Sequence, residues 1–154
     1  MEKFDSLYLE IGKFTMEFEK MNFSIKNTIK EIENLNDNEY SNLHNLSFDA
    51  LYKRFKLALE KTSKQVDDIN QLYGKLENLR KKRNNIIHGF CFMGYVTTTL
   101  YNSGKAELIG ESEPTVTFYN LKNQENNSYE TIELKNLKDD CTELITELLN
   151  FKSD

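Results

Sequence analysis

Arg83, Asn84 and His88 are the residues whose types and spacing could do chemistry. A histidine can exchange protons near neutral pH. An arginine can grip two phosphate oxygens with its planar fork and stabilise developing negative charge. Together they suit phosphodiester cleavage in RNA, where the ribose 2′-OH loses a proton, the leaving 5′-oxygen gains one and the phosphate charge must be stabilised. Asn84 could orient the imidazole or hold the phosphate. No carboxylate cluster accompanies them, so no metal ion or other cofactor is expected.

These residues lie in the run Leu76-Glu77-Asn78-Leu79-Arg80-Lys81-Lys82-Arg83-Asn84-Asn85-Ile86-Ile87-His88-Gly89-Phe90. Leu72, Leu76, Leu79, Arg83 and Ile86/Ile87 fall at three- and four-residue steps, the mark of one helix face. At about 100° per residue, Asn84 and His88 stand roughly 40° apart and one turn apart, with Arg80 one turn further back. Arg83 is about 140° around from His88, so contact between the two within one helix is not automatic. Gly89 stands where a left-handed cap would end the helix.

The segment Arg83-Asn84-Asn85-Ile86-Ile87-His88-Gly89 resembles the signature of the HEPN superfamily. That signature is an Arg, four to six residues of any kind and a His at the end of a bundle helix, often with Asn just after the Arg. The resemblance implies a helical bundle and a metal-independent endoribonuclease, with Arg83 and His88 carrying the chemistry and Asn84 assisting. It implies products with a 2′,3′-cyclic phosphate and a 5′-hydroxyl. It also implies a homodimer whose composite active site joins two Arg and His pairs, supplying the second histidine for acid and base roles. Such proteins act in toxin–antitoxin, phage-defence and RNA-processing systems, so an antitoxin or regulatory protein is a further expected partner. Toxins of this type that a nucleotidyltransferase controls carry Tyr two residues after the His. Phe90 stands there in this chain and has no hydroxyl to modify, so that mode of control is not carried over.

The net charge of −5 counts against a nucleic-acid binder unless charge is segregated. It is segregated: Lys75, Arg80, Lys81, Lys82 and Arg83 against Glu77 leave +4 in residues 75–83 and −9 for the rest. Lys75, Arg80, Lys81 and Lys82 are therefore the candidate RNA-binding residues. The bland alternative is a solvated helix face. Lys53, Arg54, Lys56, Lys61 and Lys64 form a second basic patch that could join the first.

The elements that must position these groups follow from periodicity. The chain has 154 residues, enough for one domain, and a composition of 38% hydrophobic and 29% charged residues suits a soluble bundle. No apolar run reaches membrane-spanning length, and the acidic, amphipathic MEKFDSLYLE is unlike a secretory signal. Cys91 and Cys141 are isolated, which argues for a reduced, cytoplasmic setting and against a structural zinc site.

Residues 3–34 read as one long helix. Phe4, Leu7, Ile11, Phe14, Phe18, Met21, Ile25, Thr28, Ile32 and Leu35 form a seam, widened by Tyr8, Phe23 and Ile29. Asn34–Asn38 is a turn, and Asn36 or Asp37 could cap a short helix. His44 reads as a surface or packing residue. Residues 48–61 and 63–88 are two more helices, the latter capped by Ser63. Gly74 in the latter lowers helix stability unless it permits a close contact.

From Phe90 the pattern turns to strand, with Asn102-Ser103-Gly104 as a hairpin turn and Lys105–Ile109 as the return. Thr115–Leu121 and Tyr129–Leu134 read as two more strands joined by the loop Asn123–Ser128, with Pro114 at the first residue of a strand. Asn136 is expected to cap a last helix to Phe151, with Leu137, Cys141, Leu144, Ile145 and Leu148 inward. The expected fold is thus mainly α: a single HEPN-like domain over residues 1–154, with a small antiparallel β insert at about 90–134 before the C-terminal helix.

Two other functions stay open at this stage. One is a HEPN-like module that binds RNA or protein without catalysis. The other is a structural helical adaptor. Arg83 and His88 clustered in an open, positive groove would favour the enzyme, and the same residues buried in salt bridges would favour the others.

Overall fold

A computed structural model describes residues 2–102, 105–121 and 124–151. The chain is mainly helical, with a small antiparallel sheet between the fourth and fifth helices. The helices are α1 (Glu2–Glu33), α2 (Asp37–Leu43), α3 (Phe48–Leu59), α4 (Val66–His88) and α5 (Thr131–Phe151). The strands are β1 (Phe90–Asn102), β2 (Lys105–Asn120) and β3 (Glu125–Glu130), in the sheet order β1-β2-β3.

The seam of α1 forms the centre of the core. Leu7, Phe14, Phe18, Met21, Ile25 and Ile29 are fully buried, and Phe4, Ile11, Ile32 and Leu35 pack at its margin. Helix α1 lies mainly against α5 and then α3, and α3 packs on α4. Thr28, the polar member of the seam, is buried and donates its hydroxyl to the Ser24 carbonyl at 2.9 Å. Tyr8 and Phe23 do not widen the buried stripe: they are exposed, because α3 and α5 cover only the opposite face. Between α1 and α3, the buried Tyr52 hydroxyl donates to Asn22 Oδ1 at 2.7 Å.

The ends of the helices have identifiable chemistry. Asn34 takes a left-handed φ of 50° after α1, and the Leu35 N–H reaches the Lys30 carbonyl at 3.0 Å. That closes the helix by the usual αL route. Asn36 and Glu39 form a reciprocal capping box that starts α2. Ser47 caps α3 through the Ala50 N–H. Ser63 does not cap α4. The cap position is Gln65, which makes no side-chain bond, and Asp67 and Asp68 supply negative charge in the first turn.

Gly89 does not take the expected left-handed cap. Its φ of −85° and ψ of 153° are extended, and the chain passes straight from α4 into β1. A Cβ there would lie 2.5 Å from the Asn85 carbonyl oxygen and 2.9 Å from Phe118 Cβ. The glycine therefore permits close approach of β2 to the end of α4. Gly74, by contrast, has open space around it and makes no close helix contact.

The sheet differs from the sequence expectation in three ways. First, Lys105–Ile109 and Thr115–Leu121 are not separate strands; β2 runs unbroken through Pro114, which pairs with Tyr95. A register shift follows at once, and a bulge is where a missing strand N–H is tolerated. Second, β3 takes residues 125–128 out of the expected loop. Third, α5 starts at Thr131 rather than after Asn136, with the Glu133 carboxylate accepting from the Glu130 N–H at 2.8 Å. Leu134 is thereby in the helix and joins Leu137, Cys141, Leu144 and Leu148 on its buried face. Of the expected turn, Ser103 and Gly104 lie outside the described residues.

Glu33, at the end of α1, accepts from Arg54 Nη2 and Lys61 Nζ, both at 2.6 Å. Burial raises the Glu33 carboxyl, but the hydrogen bonds from Lys61 and Arg54 outweigh it and hold the group below its ordinary range. A lowered carboxylate stabilises the fold above its unfolded-state value and loses that contribution as pH falls through the folded-state value. Glu33→Gln should cost about 1 kcal/mol at pH 7, and the gap from wild type should close as the pH is lowered through that range. In urea unfolding at pH 7, Gly74→Ala should raise stability by about 0.5–1 kcal/mol, whereas Gly89→Ala should lower it by about 1–3 kcal/mol.

Candidate functional site

His88 is the last residue of α4 and is exposed. It lines an open cleft of about 400 Å³ with Asn84, Asn120 and Leu121. Asn84 comes from one turn earlier on α4, as the spacing requires. Asn120 and Leu121 come from the end of β2, brought there by the approach of Phe118 to Gly89. The Asn120 amide nitrogen lies 3.4 Å from Asn85 Oδ1, which ties the strand to the helix. Sequence reading missed Asn120 and Leu121. The pairing that places them, Phe90 with Tyr119, joins residues far apart in the chain and leaves no local signal.

Arg83 points elsewhere. Its guanidinium carbon lies 5.0 Å from the centre of the Phe48 ring and 5.8 Å from that of Phe18. Nη2 is 3.7 Å from Glu19 Oε1, and Nη1 donates to Asn84 Oδ1 at 3.5 Å. The side chain is only 16% exposed, and Nε is buried with no hydrogen-bond partner among the described residues. Arg83 and Asn84 are thus brought together, and Asn84 and His88 share a cleft, but Arg83 does not line that cleft. The residues holding Arg83, namely Phe18, Glu19 and Phe48, are contributed by α1 and α3.

The basic strip divides. Arg80 grips Glu77 with both Nε and Nη2, at 2.9 and 2.7 Å, and stands 3.9 Å from Asp49. The hydrogen bonds to Glu77 hold its proton more tightly than usual. Lys75 pairs with Glu147 of α5 at 2.7 Å. Lys81 is exposed and Lys82 half-buried, and neither forms an ion pair among the described residues. Lys82 borders a separate, smaller cleft with Tyr129, Glu133 and Asp140.

The second basic patch does not extend the first as free charge. Lys53 pairs with Asp49 at 2.8 Å, Arg54 and Lys61 share Glu33, and Lys56 sits 5.3 Å from the Tyr73 ring centre. His44, expected as a surface or packing residue, is exposed and stands edge-on to Tyr40 at 5.2 Å with Nδ1 3.2 Å from Lys26 Nζ. Cys91 and Cys141 are free thiols. Burial raises the Cys141 thiol to about 12, and partial desolvation raises that of the more exposed Cys91 as well. Among the described residues no group of three or more His, Cys, Asp or Glu side chains could hold a metal ion, and no helix is long and apolar enough to cross a membrane.

No family model, no curated protein and no solved structure matches this chain.

The two principal residues should separate in stability measurements. His88→Ala should change urea stability by less than about 0.5 kcal/mol, since the side chain is exposed and unpacked. Arg83→Ala should cost about 1–2 kcal/mol through lost packing on two rings.

Proposed function

We propose that the chain is a metal-independent endoribonuclease of the HEPN type. The observation that carries this reading is the exposed imidazole of His88, which shares an open cleft with the Asn84 amide at the end of a helix. An exposed imidazole is open to a substrate and can exchange protons with it. Lys81 and Lys82, which form no ion pair among the described residues, add positive charge on the preceding turns of α4, suited to phosphate. Arg83 supports the reading too. Its Nη1 and Nη2 contacts are long, at 3.5 and 3.7 Å, so a phosphate at the Asn84 edge would give these donors a closer partner.

In this mechanism His88 takes the proton of the ribose 2′-OH. The 2′-oxygen attacks phosphorus and the 5′-oxygen leaves, taking a proton from the acid. The products are a 2′,3′-cyclic phosphate and a 5′-hydroxyl. Arg83 and Asn84 bind the phosphate oxygens, on which charge grows in the transition state. The acid is the His88 of a second copy facing the first across a two-fold axis, in line with the resemblance. The toxin or phage-defence role and an antitoxin partner rest on that resemblance alone.

A second reading, a module that binds RNA or protein without cutting, is favoured by one feature. The Arg83 guanidinium is held against Phe18, Phe48 and Glu19 rather than in the cleft.

Purified wild type and His88→Ala, shown to fold and assemble alike, are incubated with total RNA in EDTA. Wild type should leave cyclic-phosphate ends, and His88→Ala should be slower by about 10²-fold or more. Equal cleavage by both variants would sink the assignment of His88. Binding of RNA by wild type without cleavage would select the second reading.

A further inference from the structure

The two edges of the sheet are treated in opposite ways. β3 is a short edge of six residues with Glu125 and Glu130 at its ends. Short length and charge are how sheet edges avoid pairing with other chains. β1 forms the other edge and has 13 residues, Phe90–Asn102. It contains no Asp, Glu, Lys, Arg or Pro, in a chain that is 29% charged. Beyond the end of β3 the second edge is continued by residues 105–114 of β2, which carry Lys105, Glu107, Glu111, Glu113 and Pro114.

The irregularities of the ladder follow the same division. Tyr95 pairs with Pro114 and Thr97 with Glu111, so one residue of β1 is opposed by two of β2. Thr98 pairs with Gly110 and Thr99 with Leu108, again leaving the extra residue on β2. Both bulges lie on β2 between Leu108 and Pro114, in the part that β3 does not cover, so they interrupt the opposite edge of the sheet and not β1. β1 keeps an unbroken two-residue period along a length of about 44 Å. Among the described residues no strand pairs with its outer edge.

We infer that β1 is an interface for a second copy of this chain, pairing antiparallel with its counterpart across a two-fold axis to make one six-stranded sheet. Its outer N–H and C=O groups are obligatory hydrogen-bonding groups, and a strand of equal length and regularity matches them throughout. Antiparallel pairing of identical edges closes on itself, so it stops at two copies. Charge selects the same occupant. Two molecules of net charge −5 repel each other, and an uncharged strand lets their backbones meet without like charges facing across the seam.

Full-length pairing centres the axis near Val96. The two Phe90 residues, which follow the α4 ends, then lie about 12 residues apart along the sheet, roughly 41 Å, so this contact is separate from any meeting of two α4 ends and independent of the ribonuclease reading.

The test is sedimentation velocity on the full chain as wild type, Val96→Lys, Val96→Glu and an equal mixture of the two variants. Wild type should assemble, and each single variant should have half the wild-type mass while keeping its helical circular dichroism. The mixture should regain the wild-type mass, because opposite charges then face each other. A wild type that is monomeric throughout the micromolar range overturns the proposal, and so does a wild-type mass that Val96→Lys leaves unchanged. Amide exchange in unsubstituted protein gives a second reading free of folding effects. Residues 90–102 should exchange slowly when concentrated and faster on dilution, and exchange independent of concentration overturns the interface.

Discussion

The buried seam of α1 is the constraint on which the other elements depend. Phe14, Phe18, Met21 and Ile25 have no exposed surface, and α3 and α5 are placed by covering them. Helix α4 is held at one remove, chiefly through α3. Burying this many large side chains is the dominant favourable term in such a bundle. The polar groups within it are few and mostly paired, as with Thr28 on the Ser24 carbonyl and Tyr52 on Asn22. The same seam reaches the candidate site, because Phe18 is both a core residue and one of the two rings against the Arg83 guanidinium.

Arg83 is first a packing residue, and the proposed chemistry would have to use the same side chain. Its place in the three- and four-residue series of α4 puts it on the core-facing side, and its stem and planar head pack there on aromatic rings. His88 lies far enough around the helix to face solvent. Asn84 stands between them, accepting from Arg83 and lining the His88 cleft. A ligand phosphate at Asn84 would be the natural meeting point of the two sides. The weak pairing of Arg83 and the exposure of His88 give such a ligand something to bind.

The basic strip illustrates the difference between formal and available charge. Five cations fall within residues 75–83, yet Glu77 takes Arg80 and Glu147 takes Lys75. Surface pairs of this kind add little stability, but each reduces the local positive field. Lys81 and Lys82 are left as the cations of the strip best placed to meet a polyanion. The acidic remainder of the molecule would repel nucleic acid elsewhere, which concentrates any binding at this end.

Local pattern determined the long helices, the main seam of each inward face and the change to strand after Gly89, because a 3.6-residue or two-residue period is written in neighbouring positions, but not that Tyr8 and Phe23 face outward. It also put Asn84 and His88 on one strip and set Arg83 apart. Tertiary structure decided what depended on partners distant in the chain. Pro114 sits inside a strand because a bulge absorbs its missing N–H, and α5 begins early because Leu134 has a core to enter. Gly89 serves close approach to Phe118 rather than a left-handed turn. The same long-range pairing supplies Asn120 to the cleft, and ion pairs across helices decide which lysines remain free. Each of these depends on through-space contacts between residues that no spacing along the chain brings together.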